Sequence, residues 1–172
     1  MTMTQQQPYE VLTKHKGFEL RKYPAGIQIE TQARGDFVNA GSLGFGPLVR
    51  YISGNNKKGQ SIAMTAPVIQ ESTGPKTHMV RFVLPEQMSL GQVPESTDPG
   101  VKIIKVPAHL AAARRFSGSW DQEKFELEGK KLVGELLTSG LETVGSLYFA
   151  RFDPPWKPGF LKRNEVLIRV KG

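Results

Sequence analysis

Phe18-Glu-Leu-Arg-Lys-Tyr-Pro-Ala25 has a counterpart later in the chain, Val101-Lys-Ile-Ile-Lys-Val-Pro-Ala108. Both segments mix apolar and polar residues over a strand length and end in a Pro-Ala turn. The same offset pairs Gly35 with Gly118 and Phe37 with Trp120. An internal repeat of this kind, over about 18–85 and 101–170, indicates two equivalent halves. Each half is predicted to contain several strands, a glycine corner and one helix.

The predicted strands follow from residue patterns within each half. Alternation of apolar and polar residues is typical of half-buried strands, and it marks residues 18–22 and 27–31. Apolar runs of strand length add residues 61–69, 79–84, 101–106, 110–116, 146–152 and 165–170. The pattern favours an α+β fold, with a sheet curled into an open or distorted β-barrel of two pseudo-symmetric halves. A ligand groove is expected at the seam between the halves.

Helical periodicity predicts residues 39–53 as the first helix. The second helix follows Ser119-Trp-Asp-Gln122, a capping box, and ends at Gly140. The positions expected to be buried are Leu43, Leu48, Val49 and Ile52 in the first helix, and Phe125, Leu132, Val133, Leu136 and Leu137 in the second. Gly41, Gly44 and Gly46 each cost about 1 kcal/mol relative to Ala inside a helix. Irregular first turns are therefore expected, and the alternative is a flat ligand packed on exposed helix backbone.

Composition limits the kinds of protein that this chain can be. Its 172 residues suit one domain, and the absence of cysteine excludes disulfides, thiolate metal sites and covalent haem attachment. No apolar stretch approaches the ~20 residues that span a bilayer. Residues 1–8 have no signal-peptide features and are expected to form a disordered tail of a cytoplasmic protein. The net charge of +7 favours an anionic partner, unless the basic residues are mainly solvated surface.

The usual catalytic motifs are missing from the sequence. His15 and His78 are expected to be exposed, whereas His109, in a Pro-Ala-His turn, is a weak candidate for an axial ligand of haem iron. No two of the three histidines lie three or four residues apart, so a zinc or di-iron site is not expected. Glu126 and Glu128 are expected on a solvated helix face. No run of interleaved basic and aromatic residues indicates dedicated nucleic-acid binding.

The most informative segment is 148–166, in which an Asp-Pro-Pro turn leads from one predicted strand to the last one. Trp156 and Phe160 lie on this loop without a predicted helix or strand to bury them. The cations beside them are Lys157, Lys162 and Arg163. An apolar plate flanked by cations suits a flat aromatic dianion, because rings cover the macrocycle and cations meet its carboxylates. The alternative is that Trp156 closes one end of the barrel.

Several segments resemble the SOUL/haem-binding protein family. They are Ile62-Ala-Met-Thr-Ala-Pro-Val68, Val80-Arg-Phe-Val-Leu-Pro85, Asp153-Pro-Pro-Trp156 and Arg163-Asn-Glu-Val166, with Tyr9-Glu-Val11 and Phe18–Tyr23 similar to the opening strands. The resemblance runs in family order over nearly the whole chain. It implies one domain over residues 9–171, a distorted barrel similar to bacterial multidrug-sensing effector-binding domains.

The resemblance also implies reversible binding of haem or another porphyrin in an apolar groove with a cationic rim. The matching positions are Phe45, Val49 and Arg50 on the first helix and Lys157 on the loop, while Met64 is expected in the core behind the groove. A subset of the family has a histidine, proposed as an axial iron ligand, where this chain has Lys22. Protonated lysine has no lone pair for iron, so contacts to the ring and the propionates are expected to dominate.

The sequence thus favours a non-enzymatic carrier or buffer of haem or other tetrapyrroles, expected to be a monomer. One alternative is a module that senses lipophilic cations, as in multidrug effector domains; it would need buried carboxylates, and the loop region offers only Asp153 and Glu165. The other alternative is an enzyme that modifies tetrapyrroles, for which His109 is the one candidate base or ligand.

Overall fold

The structure, a computed structural model, describes residues 4–154 and 156–172. Its elements are β1 (Gln5–Gln6), β2 (Glu10–His15), β3 (Phe18–Tyr23), β4 (Gly26–Arg34), α1 (Phe37–Ile52), β5 (Thr65–Ala66), β6 (Val68–Gly74), β7 (Thr77–Val83), β8 (Lys102–Val106), β9 (His109–Phe116), α2 (Gln122–Ser139), β10 (Thr143–Arg151) and β11 (Asn164–Val170), with short 3-10 helices at Leu90–Gln92 and Gly159–Leu161. Neither helix in this part of the chain is long and apolar enough to cross a membrane.

The first compact unit contains Ala25–Pro107 and the N-terminal residues up to Gln7. Its antiparallel strands lie in the order β6-β7-β4-β8. Helix α1 packs on them through Leu48, Tyr51 and Ile52, which join Ile29 and Val80 in one apolar core. Burial of these side chains on one helix face, rather than helix propensity alone, stabilises the unit.

Helix α1 corrects the prediction of irregular first turns. It begins at Phe37, after Asp36 caps the first turn by accepting from the Asn39 backbone N–H at 2.8 Å. Gly44 has a packing role, because a Cβ there would lie 2.5 Å from Val80 Cγ2. The glycine therefore allows close approach of the helix to β7. Leu43, expected to be buried, is 62% exposed.

The second compact unit contains Pro8–Pro24 and Ala108–Gly172. Its five antiparallel strands lie in the order β2-β3-β9-β11-β10. Helix α2 packs on this sheet through Phe125, whose ring lies 4.8 Å from that of Phe116 and 5.0 Å from that of Phe149. These edge-to-face contacts fix the helix on its sheet.

Helix α2 also differs from its prediction. The N-cap is Asp121, whose carboxylate accepts from the Glu123 backbone N–H, so Ser119 does not start a capping box. Glu128 is buried, not solvated, because Nε of Arg114 in β9 donates a hydrogen bond to its carboxylate at 2.6 Å. Val133 and Leu137, expected in the core, are 36% and 77% exposed. The predicted stop is confirmed, since Gly140 adopts the left-handed conformation with φ +70°.

The α+β class with one helix in each half is confirmed, and four strands recur in equivalent order. The first unit has β8-β4-β7-β6, and the second has β3-β9-β11-β10 with β2 added at the edge. The spatial units are not the sequence repeats, however. Strand β3 of the first repeat belongs to the second unit, and β8 of the second repeat belongs to the first.

Two further segments, one N-terminal and one central, differ from the predicted secondary structure. Gln5–Gln6 pair with Thr65–Ala66 as parallel strands, so this part of the predicted disordered tail is ordered. Residues 1–3 of that tail lie outside the described residues. The predicted strand 61–69 is reduced to β5 and the start of β6, and residues 61–64 are not in a strand.

Candidate functional site

The loop between β10 and β11, in the second unit, presents an exposed apolar surface. Trp156 is 81% exposed, Phe160 78% and Leu161 54%; we call these three residues the exposed plate. Trp156 is therefore not buried as a plug. Large apolar side chains exposed on one short loop commonly mark a binding surface.

The backbone under the exposed plate is held in place by a neighbouring turn. The Gly118 N–H donates to the Gly159 carbonyl at 2.9 Å. A Cβ at Gly159 would lie 3.0 Å from Ser119 Oγ, so glycine is needed for this close approach. The plate is exposed at its side chains while its supporting backbone is tied to the segment that precedes α2. Such anchoring lowers the ordering cost of binding a ligand.

The three predicted cations of the loop have different surroundings. Lys157 Nζ lies 2.8 Å from Asp153 Oδ1. Arg163 donates from Nη2 to Glu165 Oε2 at 3.0 Å and to the Tyr9 hydroxyl at 3.1 Å. Lys162 is half-buried and has no ion pair within the described ranges. Lys162 is thus the most available of the three to an anionic ligand.

Asp153 organises the loop as an acceptor. Burial alone would favour its neutral form, but hydrogen bonds from the Arg163 backbone N–H and from Lys157 outweigh this and lower the pKa of Asp153. The carboxylate is therefore charged at neutral pH. Its charge is already matched by neighbouring groups of the same loop.

The negative charge of Glu165 is neutralised by two arginines, Arg21 and Arg163. Glu165 is 1% exposed and accepts from Arg21 Nη1 at 2.7 Å and Arg21 Nη2 at 2.8 Å, a bidentate pair. Burial opposes ionisation of this carboxyl, but Arg21 and then Arg163 outweigh it and hold the pKa of Glu165 below its ordinary value. Arg21 lies 4.0 Å over the ring of Tyr9 and donates to the hydroxyl of Tyr23.

Sequence reasoning missed Arg151, at the end of β10. Its guanidinium lies 4.2 Å from the centre of the Trp120 ring, and burial lowers its pKa to about 10. No carboxylate of the described chain pairs with it. Trp120 follows the turn that holds Gly159, so Arg151 lies behind the segment that supports the exposed plate. A desolvated charge without a carboxylate partner singles out Arg151 as a candidate functional residue. The sequence could not show this, because the burial of Arg151 depends on the folded strand.

The first-helix candidates lie in the first unit. Phe45 is 39% exposed and contacts the ring of Phe82 edge-on at 5.3 Å. Val49 is half-buried against the core, which Met64 also contacts. Arg50 is exposed, with Nη1 over Gly46, 3.4 Å from where a Cβ would stand. The five loop residues, Trp156, Lys157, Phe160, Lys162 and Arg163, lie between β10 and β11 in the second unit.

The histidines have three different environments. His15 is exposed and stacks on Phe18 at 4.5 Å. His78 was expected to be exposed but is only 3% exposed, within hydrogen-bond distance of Ser72 Oγ and the Gly35 carbonyl. His109 is half-buried and stacks on Tyr23 at 5.3 Å. No group of three or more histidine, cysteine or carboxylate side chains is placed to hold a metal in the described part of the chain.

The strand pairing also brings two separately noted residues into one pocket. Lys22 lies opposite Leu110, and Tyr23 lies opposite His109, so β3 and β9 place Lys22 and His109 together. They line a pocket of about 440 Å³ at one end of the sheet of the second unit. Sequence reasoning singled out both residues but could not join them, because the pairing is long-range.

Comparisons with known proteins agree with this fold. The family model described as SOUL heme-binding protein matches residues 4–169. Mouse "Heme-binding protein 1" is 29% identical over 128 residues, which cover 70% of this chain and 66% of that protein, just under two thirds of its length. "Heme-binding protein 1" from Xenopus laevis is 28% identical over 157 residues, covering 87% of this chain and 81% of that protein.

Among solved structures, the C-terminal domain of EcmrR has a TM-score of 0.68 at 15% identity, covering 95% of this chain and 98% of that one. At this identity the likeness concerns the fold alone. It supports the predicted relation to bacterial effector-binding domains as an architecture.

Proposed function

Because this chain belongs to the SOUL heme-binding protein family, we propose that it binds haem or a related tetrapyrrole reversibly, as a carrier or buffer without catalysis. The observation that carries the proposal is the exposed plate in the second unit, with Lys162, which has no ion pair in the described ranges, beside it on the same loop. A tetrapyrrole of this type is a broad apolar ring with two carboxylates on one edge. The plate offers area for the ring, and Lys162, next to Leu161 in the chain, offers charge for a carboxylate.

The energetics of such a site favour the ring over the metal. Covering Trp156 and Phe160 removes apolar surface from water at about 25 cal/mol per Å². Each charge-assisted hydrogen bond to a carboxylate adds about 1.5–3 kcal/mol. Trp156, Lys157, Phe160, Lys162 and Arg163 include no histidine, so this loop surface offers iron no imidazole ligand. We therefore expect haem and metal-free porphyrin to bind with similar affinity. A contribution to tetrapyrrole binding from the first helix, through Phe45, Val49 and Arg50, stays a prediction from the family resemblance.

The charge of the site argues against a ligand that is a lipophilic cation. Such a ligand needs a carboxylate without a partner, and the two candidates near the loop are both occupied. Asp153 forms an ion pair with Lys157, and Glu165 forms ion pairs with Arg21 and Arg163. Freeing either carboxylate would break a partly or fully buried ion pair, which is costly.

A direct test is titration with haemin and with metal-free protoporphyrin, followed by Soret absorption. Trp156→Ala is expected to lower the affinity for both by about tenfold to a hundredfold, as for a central aromatic contact residue. The matched control is Leu137→Ala, which removes an equally exposed apolar side chain from α2 of the same unit and should leave affinity unchanged.

A second arm tests the role of iron. A variant with all three histidines replaced by alanine is first checked for folding, because His78 is buried. It should keep its haemin affinity if ring and propionate contacts dominate. Loss of haemin binding in His109→Ala alone, or tighter binding of a cationic dye than of either porphyrin, would contradict the proposal.

A further inference from the structure

The pocket that joins Lys22 to His109 lies at the end of the second sheet, where β3 and β11 end and β9 and β10 begin. Its floor is apolar and consists of Leu110, Val144 and Val170. Val144 is 49% exposed. The register of β10 shifts between Val144 and Tyr148, around Gly145 at φ +79°, so a bulge sets the exposed position of Val144. Val144 is thus the exposed part of an apolar floor in which Leu110 is half-buried and Val170 is buried.

The rim of this pocket is basic. Lys22, Arg169 and Lys171 line it, and no aspartate or glutamate does. Lys171 Nζ lies 3.4 Å from Glu142 Oε1, an exposed pair that contributes little. Lys22 is exposed and Arg169 is half-buried, and neither has an ion pair or side-chain hydrogen bond in the described ranges. A guanidinium on the rim of an apolar floor, with no carboxylate partner in the described ranges, can accept an anionic ligand from outside the protein.

We propose that this pocket is a second binding site, which takes a small amphipathic carboxylate of the fatty-acid kind. The apolar chain lies on Leu110, Val144 and Val170, and the carboxylate lies between Arg169 and Lys22. The volume of about 440 Å³ falls within the roughly 300–1,000 Å³ of small-molecule sites. Arginine binds a carboxylate with two parallel hydrogen bonds, which favours this head group.

This site is independent of the proposed tetrapyrrole site. The pocket contains none of the residues of the exposed plate, and it lies at the strand ends His109, Thr143 and Val170, whereas the plate follows Arg151 at the opposite end of β10. Ligands of the two sites should therefore bind without competing. Each site can fail in an experiment while the other stands.

The experiment uses dodecanoate below its micelle concentration, measured by calorimetry on the full chain. Dodecanol and dodecyltrimethylammonium are matched ligands without charge and with positive charge. Lys22→Gln and Arg169→Gln are each expected to lower dodecanoate affinity about tenfold. The control is Lys105→Gln, because Lys105 is exposed and occupies the position of Lys22 in the second sequence repeat; it should have no effect.

Methyl NMR gives a readout that does not depend on the variants folding. Dodecanoate should shift the methyl signals of Leu110, Val144 and Val170 and leave those of Leu137 unchanged. Trp156→Ala should weaken haemin binding and leave dodecanoate binding intact.

The inference is overturned if dodecanol binds as tightly as dodecanoate, if the three floor methyl groups do not shift, or if haemin displaces dodecanoate. Dodecanoate binding that persists in a protein that ignores haemin would support this site and remove the tetrapyrrole proposal.

Discussion

Replacing Glu165 with glutamine should destabilise the protein severely. Glu165 and Arg21 are 1% and 3% exposed, and their two hydrogen bonds measure 2.7 and 2.8 Å. Glutamine keeps the shape but removes the charge, and its amide group turns a donor toward the donors of Arg21. Breaking a buried ion pair from one side costs about 3–5 kcal/mol. For a chain of this size, each 1 kcal/mol of lost stability lowers the midpoint of thermal unfolding by roughly 2–4 °C. We therefore expect this midpoint to fall by roughly 6–20 °C.

The measurement is urea unfolding at neutral pH, with thermal unfolding beside it. Glu95→Gln is the matched control, because the Lys57–Glu95 pair has the same 2.8 Å separation but is exposed; it should change nothing measurable. Replacing Arg21 and Glu165 together with leucine should recover most of the loss, since no unmatched charge then stays buried. Wild-type stability in Glu165→Gln, or equal losses in Glu165→Gln and Glu95→Gln, would refute the reasoning.

The same pair predicts an acid dependence. The pKa of Glu165 is lower in the folded chain than its ordinary value of about 4.3. Its ionisation therefore stabilises the fold fully above that ordinary pKa, and this stabilisation is lost as pH falls through the lower folded pKa. In Glu165→Gln the loss of stability at acid pH should be smaller than in the wild type. If the free energy of unfolding falls equally steeply with acid pH in the two proteins, the attribution of the acid dependence to Glu165 is wrong.

The remaining predictions concern the two helices, and urea unfolding tests each. Gly44→Ala should cost about 1–3 kcal/mol despite its better helix propensity, because the new Cβ would lie 2.5 Å from Val80 Cγ2. Gly134→Ala, whose Cβ meets nothing within 4 Å, should instead stabilise the protein by up to about 1 kcal/mol; losses in both variants would rule out the packing explanation. Phe125→Ala should cost about 3–5 kcal/mol, because Phe125 is fully buried.

The strands could be predicted where a residue pattern reports burial. In β9 and β11 apolar residues dominate, and residues 110–116 and 165–170 were recognised almost to their ends. Residue patterns did not mark strand β2, whose six residues are all exposed. Only the family resemblance placed an opening strand at Tyr9–Val11. The pairing of β2 with β3 depends on backbone hydrogen bonds, which sequence patterns do not report.

The helix faces show the limit of periodicity. A helical wheel places Leu137 with the apolar residues of α2, but the sheet contacts a narrower stripe and leaves it exposed. Glu128 lies in that stripe because Arg114, distant in sequence, supplies its counter-charge. The loop plate was predictable, since Trp156 and Phe160 had no element to bury them. Arg151 and the pocket at Lys22 were not, because both depend on which charges pair after folding.

The distribution of ion pairs within the second unit favours anionic over cationic ligands more firmly than the net charge of +7 does. Surface charge alone is compatible with solvation, but a desolvated cation without a partner is costly unless a ligand matches it. Here Asp153 and Glu165 each form ion pairs with cations of the chain, whereas the desolvated Arg151 has no carboxylate partner in the described structure. Arg169, on the rim of the pocket at Lys22, has none there either. A cationic ligand would have to displace an existing pair; an anionic one completes an arrangement that the fold leaves unbalanced.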